Sequence, residues 1–574
     1  MNSKRLLNIL LYAGLIIAIL APRLPALGSF STADEPYWLS MGADFYYALG
    51  QRQFQNTVYE YQPAVTTMWI VTAAMLVYFP GYRGMGQGYL DYEKGLLDPF
   101  MLQHGKDPLV LLRDARLIQV LLITVLLLIL FYLLQRLLSK PIAAFSVSLV
   151  SFDPFFLGQS RLLDHEALLA LFVIISALAL MIYLFQDRKL IFLILSGLSA
   201  GLAQLTKSSA IAVLVPIGAL LLIQIIQNGR AGLGKAVLNA LKVFGIWLTV
   251  LSLTYIIFWP GMWVAPGKML YEVYGNAFSY AFEGARLKVV GDVETSQLSL
   301  NTNLGGIGQL LSVVFWRTTI VTWLGILFGM IFSFTRDRES VRPNARLLTL
   351  LMTITALAFI IMFGIAQGRD SPHYTLTSYV ALNLVAGMGC FFVVQWFAQR
   401  ARFLRSDWSK YAVLFAAALI QVWSAAAFYP YYFTYRNPVL YALSPDKQYP
   451  QFAYGEGLEL AAQYLAELPK AKDSIAMVYY ARGCFSYFFP GQTTRFKPYY
   501  VDSAHVQDLL NSLHEADYLV LYNAVQGKLD KYDKLMNALA DIKPVKEIWL
   551  NGYKYATVYR VADFSPSVFE MLSR

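Results

Sequence analysis

A series of charge-free apolar runs, each long enough to cross a bilayer, sets the strongest limit on what this chain can become. A membrane-spanning helix needs roughly 20 predominantly apolar residues. Eleven runs of about that size occupy 6–22, 117–135, 141–160, 167–186, 190–206, 208–229, 243–260, 318–335, 347–368, 374–399 and 411–430. The third is interrupted near its end by Asp153 and Pro154. A twelfth run, 66–79, is short for a span and fits a helix lying along the membrane surface. Composition agrees. Of 574 residues 57% are hydrophobic and 14% charged, against about 25% charged in soluble domains. A water-soluble protein, a disordered chain and a coiled coil are thereby excluded, and two cysteines exclude a disulfide scaffold. Cys390 falls in a span and Cys484 outside, so the two are not expected to pair.

The net charge of +10 is spread in short clusters between apolar runs rather than massed in a stripe, so no nucleic-acid partner is expected. The densest clusters are Arg336, Arg338, Arg342 and Arg346, then Arg400, Arg402, Arg405 and Lys410; smaller ones include Lys4 with Arg5, Arg136 with Lys140, Arg188 with Lys189 and Arg230 with Lys235. Eleven spans put all of these on one side, which the positive-inside rule makes cytoplasmic. A spanning 66–79 would separate Lys4 and Arg5 from the rest. The reading is a multi-pass protein of the plasma or inner membrane with a cytoplasmic N-terminus. Its first span is expected to be an uncleaved anchor rather than a signal peptide. Residues 23–116 then form one long outer loop with surface helices.

After Pro430 the texture changes. Helical periodicity over 454–468 and 529–539, short strands at 475–480 and 518–522, and a hairpin over 545–561 around Asn551-Gly552 predict a small extracytoplasmic α/β domain. The chain divides on this reading into a transmembrane domain, 1–430, and an outer domain, 431–574. The fold class is mainly α: a polytopic bundle of about 11 helices with a small C-terminal α/β domain.

Five short elements carry chemistry on the outer side. Asp34 and Glu35 follow the first span; the alternatives are a solvated helix-capping pair and a general base held at the membrane surface. Gln159 to Glu166 brings Arg161, Asp164, His165 and Glu166 together at a span boundary, where charge is costly and faces a cavity or a partner. An Arg161–Asp164 ion pair is the plain alternative there, and a lone His165 beside two acids is a weak metal signal. Lys207 ends the run Gly197 to Lys207, either snorkelling or binding an anion. Gly368 to Tyr374 supplies Arg369, Asp370 and His373. Tyr429 to Pro438 is an aromatic belt with Arg436 pointing toward headgroups. Carboxylates and cations at one depth suit a substrate with a lipid tail and a phosphate head. An activated sugar on such a phosphate needs a base for the acceptor hydroxyl and cations for the departing phosphate.

These residues resemble the protein O-mannosyltransferases and the lipid A aminoarabinose transferases. The resemblance runs over about residues 1–470 and rests on five motifs: Asp34-Glu35; Gln159-Ser-Arg161 with Leu163-Asp164; Gly201-Leu-Ala-Gln-Leu-Thr-Lys207; Arg369-Asp370 with Tyr374; and Tyr429–Pro438 followed by Tyr454-Gly-Glu-Gly457. It implies a GT-C fold and transfer of a sugar, mannose or a related hexose or pentose, from a polyprenyl-phosphate donor with inversion. It implies Asp34 as catalytic base, Glu35 as a supporting carboxylate and Asp164 as a sugar- or acceptor-positioning group. Arg161, Lys207 and Arg369 are implied for the phosphate, with His373 and Arg436 among the substrate-binding candidates. The aminoarabinose transferases carry Glu-Lys-Pro where this chain has Glu60-Tyr61-Gln62-Pro63, so Glu60 stays a candidate while the lysine is absent. The 261–317 loop is too short for the β-trefoil domains of eukaryotic O-mannosyltransferases. The acceptor is therefore open among protein, glycan and lipid. No cofactor is expected to be required, and a divalent metal is not favoured. Two other readings stay open: a transporter or flippase of a lipid-linked sugar, and a non-catalytic anchor for the outer domain.

Overall fold

The computed structural model describes residues 3–86, 97–230, 232–279, 304–334, 343–366, 371–400, 406–443, 453–501, 503–523 and 532–573. The protein is a multi-pass helical membrane protein with a small C-terminal sheet. Each of the eleven apolar runs forms helix. Among the described residues seven helices are long and apolar enough to cross a membrane: Pro108–Leu137, Glu166–Phe185, Ser208–Gly229, Leu233–Phe258, Asn344–Ile365, Pro372–Arg400 and Asp407–Ala426. The run at 318–335 is one arm of a pair, Gly305–Arg317 and Ile320–Ser333, bent by 119°. Three more runs are shorter apolar helices, Asn8–Leu20, Lys140–Ser151 and Leu190–Thr206. The second of these stops because Pro154 has no N–H to continue the ladder. Asp153 instead caps the next helix, Pro154–Gln159, accepting from the Phe156 N–H at 2.9 Å.

Glu166–Phe185 is the hub, with 89% of its apolar window buried inside the protein. Small residues let neighbouring helices approach closely, the usual device where lipid supplies no hydrophobic drive. A Cβ on Gly201 would meet Thr254 Cβ at 2.6 Å, and one on Gly389 would meet the Gly325 carbonyl at 1.8 Å. The loop after the first helix carries Glu35–Gly50 and Val65–Tyr78. These two pack together through Gly42, where a Cβ would lie 2.4 Å from Val71 Cβ. The helix predicted over 66–79 is thus present, and most of it is covered by protein.

The C-terminal sheet has strands β1 (Ile475–Val478), β2 (Gln492–Arg495), β3 (Tyr518–Tyr522), β4 (Lys546–Leu550) and β5 (Tyr553–Arg560) in the order β2-β1-β3-β5-β4. β1 runs parallel to β2 and β3, while β5 is antiparallel to β3 and β4. The predicted hairpin turns at Asn551 (φ 50°) and Gly552 (φ 81°), the left-handed pair that a two-residue turn requires. β2 and the helix Val506–Glu515 were not foreseen; the polar, exposed Gln492–Arg495 has no alternation to read. The arginines at 336, 338, 342, 402 and 405 lie outside the described residues.

Candidate active site at the Asp34 end of the bundle

Glu35 opens the helix Glu35–Gly50 and is 1% exposed. A carboxylate so deep must be paired and hydrogen-bonded. Its Oε1 accepts from Arg116 Nε at 2.6 Å and from the Leu163 N–H at 2.7 Å. Its Oε2 accepts from the Thr32 N–H and hydroxyl, both at 2.8 Å, and from Arg116 Nη2. Arg116, also 1% exposed, donates to the carbonyls of Leu27 (2.5 Å) and Phe30 (2.9 Å). Five donors thus take up both oxygens of Glu35. Glu35 is thereby a buried latch between the first loop, the helix Pro108–Leu137 and the turn before Glu166. Arg116 escaped sequence reading because it borders an apolar run 81 residues away.

Asp34, one residue earlier, is partly exposed and makes no side-chain cap bond, so its carboxyl is not spent on the helix. Its Oδ2 accepts from the Tyr454 hydroxyl at 2.8 Å. The Leu163 N–H on Glu35 brings Asp164 to the same place. Asp164 is 3% exposed, and its Oδ1 accepts from the His165 N–H at 2.6 Å. Burial, and then Glu166, push its carboxyl well above the ordinary range; Lys207 opposes this and Asp34 adds to it. His165 packs edge-on against Trp38 at 4.8 Å between ring centres. Burial, with Lys207 and His373 nearby, holds its imidazole well below the ordinary value and therefore neutral.

Lys207 follows the last residue of Leu190–Thr206 and is 2% exposed. Its ammonium pairs with Glu166 and lies 4.4 Å from the Tyr374 ring centre and 5.7 Å from that of Phe363. His373 is tilted against Tyr374 and lies nearly parallel to the Tyr454 ring, at ring distances of 4.3 and 6.0 Å. Asp34, Asp164, Lys207 and His373 are therefore brought together. Arg369 lies outside the described residues.

Three further candidates have other surroundings. Arg161 neither pairs with Asp164 among the described residues nor faces the cluster. Its guanidinium donates to the carbonyls of Arg23 (3.1 Å), Pro430 (3.2 Å) and Pro25, under the Tyr432 ring. It ties one loop to another through carbonyls left open where helices end. Arg436 lies over Tyr553 of the C-terminal hairpin rather than toward headgroups. Glu60 is half-buried between the short helix Phe54–Asn56 and Val65–Tyr78. Among the described residues no group of three His, Cys, Asp or Glu side chains is arranged to hold a metal ion.

Behind Asp34, two further buried acids organise the strand-to-bundle junction. Glu456 accepts from the Tyr454 N–H (2.8 Å) and the Tyr522 hydroxyl (2.9 Å). Glu459 accepts from the Gly457 N–H (2.9 Å) and the Tyr431 hydroxyl. Burial outweighs these bonds and pushes the carboxyls up to about 8 and about 7 respectively.

A family model described as dolichyl-phosphate-mannose-protein mannosyltransferase matches residues 111–255. This segment holds Arg116, Asp164, Glu166 and Lys207. The fold is similar to the crystal structure of ArnT from Cupriavidus metallidurans bound to undecaprenyl phosphate, with 13% identity, 96% of this chain and 99% of that chain covered, and a TM-score of 0.48. It is also similar to the Archaeoglobus fulgidus oligosaccharyltransferase in complex with zinc and sulfate (12% identity, 92% and 69% covered, TM-score 0.47). The S. cerevisiae protein O-mannosyltransferase Pmt1-Pmt2 complex bound to the sugar donor matches at 16% identity over 43% of this chain and 33% of that one, with a TM-score of 0.34. No curated protein matches the sequence.

Two expectations follow. Glu35→Gln leaves Arg116 charged without its counter-ion and is expected to cost about 3–5 kcal/mol, read as a lowered thermal midpoint in detergent; an unchanged midpoint would remove the latch. The second concerns pH. Glu456 and Glu459 bind protons more tightly folded than unfolded, so their contribution is complete below the ordinary glutamate range. It is lost as pH rises through about 7 and about 8. The midpoint should therefore fall across that window, and the Glu456→Gln/Glu459→Gln pair should flatten the slope.

Proposed function

We propose that the protein is an integral-membrane glycosyltransferase of GT-C architecture that moves a sugar from a polyprenyl-phosphate donor to an acceptor hydroxyl on the extracytoplasmic side, with inversion. The observation that carries this reading is the convergence of Asp34, Asp164 and the Lys207–Glu166 pair at one end of an apolar bundle. The family model over 111–255 supports the same class.

In this mechanism Asp34 takes the proton of the acceptor hydroxyl as its oxygen attacks the anomeric carbon. The bond from that carbon to the phosphate oxygen breaks on the opposite face, and the lipid phosphate leaves with the electron pair. Phosphate is already a good leaving group, so no general acid is required; the developing charge is met by cations. Lys207 is the described cation at the cluster, its position fixed by Glu166 and the Tyr374 ring. Asp164, whose carboxyl burial pushes well above the ordinary range, positions a sugar or acceptor oxygen by hydrogen bonding. Mannose or a related hexose or pentose is the sugar class, and the acceptor is a protein, glycan or lipid hydroxyl. The site opens at the outer face of the plasma or inner membrane, with the N-terminus cytoplasmic and the C-terminal sheet outside. A transporter would carry its charges near the bilayer midplane; here the described cluster lies where helices end.

General-base catalysis contributes about 10²–10⁴-fold. Asp34→Asn is accordingly expected to lose at least about a hundredfold in turnover of a polyprenyl-phosphate sugar while inserting and folding normally. Unchanged turnover would defeat the assignment. For the orientation, Leu102 is exposed on the loop that carries Asp34. Leu102→Cys in intact cells should react with a membrane-impermeant maleimide from outside, and labelling only after cell opening would invert the topology.

A further inference from the structure

We propose that Tyr454 is a positioning residue for Asp34, which makes the C-terminal region a working part of the active site rather than an appended module. The inference rests on the reading of Asp34 as the base. Tyr454 is 5% exposed and lies 420 residues from Asp34, yet its hydroxyl donates to Asp34 Oδ2 at 2.8 Å. Two backbone bonds fix the ring's root: the Tyr454 carbonyl accepts from the Ala33 N–H at 2.9 Å, and its N–H donates to Glu456 Oε2 at 2.8 Å. The residue is thus gripped on one side by the chain immediately before Asp34 and on the other by the buried acid two positions on. Tyr522 closes the arrangement. It accepts from the Gly455 N–H at 3.0 Å and donates to the same Glu456 oxygen at 2.9 Å.

Glycines make this approach geometrically possible. Gly455 and Gly457 adopt φ of +97° and +87°, and a Cβ on Gly455 would lie 2.3 Å from Cys484 Sγ. Gly483, at φ +72°, would place a Cβ 2.2 Å from Pro36, the second residue after Asp34. The C-terminal region therefore touches the Asp34–Glu35–Pro36 turn from two directions.

Burial, then Asp34, Asp164 and Glu35, keep the Tyr454 phenol protonated, so it acts as a donor. A hydrogen bond to an ionised carboxylate favours the charged form. It also fixes the plane of the carboxylate that must meet the acceptor hydroxyl. The other titratable or charged groups facing this pair are Tyr37, Tyr480, Cys484, Glu456 and His373.

The test uses the full-length protein in detergent with a polyprenyl-phosphate sugar as probe. Tyr454→Phe keeps the ring and removes only the hydroxyl. The expected result is a fall of about ten- to hundredfold in kcat, a donor KM within about twofold, and an acid limb of the pH–rate profile moved up by about one unit. Wild-type kcat and an unmoved limb, in a protein where Asp34→Asn is inactive, would overturn the inference. A slower enzyme with an unmoved limb would overturn it too, since that is what loosened packing produces. Should Asp34→Asn itself retain turnover, the base assignment falls and the role of Tyr454 with it. If Tyr454→Phe misfolds, wild-type protein reports instead. The Asp34 carboxyl stretch in isotope-edited infrared difference spectra should carry the signature of a strong phenol hydrogen bond, and a free-carboxylate band would contradict it.

Discussion

The ion pair between Glu35 and Arg116 holds the Asp34 end of the molecule together. Two charges taken out of water are costly, and their attraction compensates only when the remaining donors and acceptors are filled. Here they are. Thr32, Leu163 and Arg116 supply five donors to Glu35, while the Leu27 and Phe30 carbonyls receive Arg116. One interaction thus joins the first loop, a long apolar helix and the turn that presents Asp164. It also divides the labour of two adjacent acids. Glu35 is sealed in by its five donors; Asp34 is partly exposed and accepts from the Tyr454 hydroxyl.

The same economy of charge runs through the rest of the bundle. Lys207 is matched by Glu166, and its ammonium lies on the Tyr374 ring. Arg23 and Arg161 have no described carboxylate partner and are met by backbone carbonyls and hydroxyls instead. Arg23 donates to Ser160, Ile19 and Ser151, and Arg161 to the chain at 23, 25 and 430. Helix ends leave carbonyls without intrahelical partners, and a planar guanidinium with five donors spans several of them at once. Both cations are thus bonded into the fold by several donors each.

The C-terminal region is stitched into this end rather than tethered to it. Tyr454 reaches Asp34, and Arg482 pairs with Asp98 at 2.9 Å while donating to Ser40 at 2.7 Å. Glycines at positive φ remove the side chains that would hold the two parts of the chain apart. Bonds across the boundary expected at 430 thus position groups on both sides of it.

Periodicity and composition determined much of this protein. Every apolar run became helix, because hydrogen bonds that close within one segment are the stable way for a single stretch to cross lipid. The Asn551-Gly552 turn and the strands at 475–478 and 518–522 were equally local. The motifs named Asp34, Asp164, Lys207 and His373, since an ionisable group beside hydrocarbon is conspicuous in one dimension. What each charge does was decided by tertiary structure. Glu35 and Arg161 are bonded into the fold, and Arg116 and Tyr454, which nothing in the sequence places beside them, are the partners of the two acids. The physical reason is that the meaning of a charge lies in its counter-ion and its solvent. Those partners came from 81 and 420 residues away, distances over which no spacing rule operates.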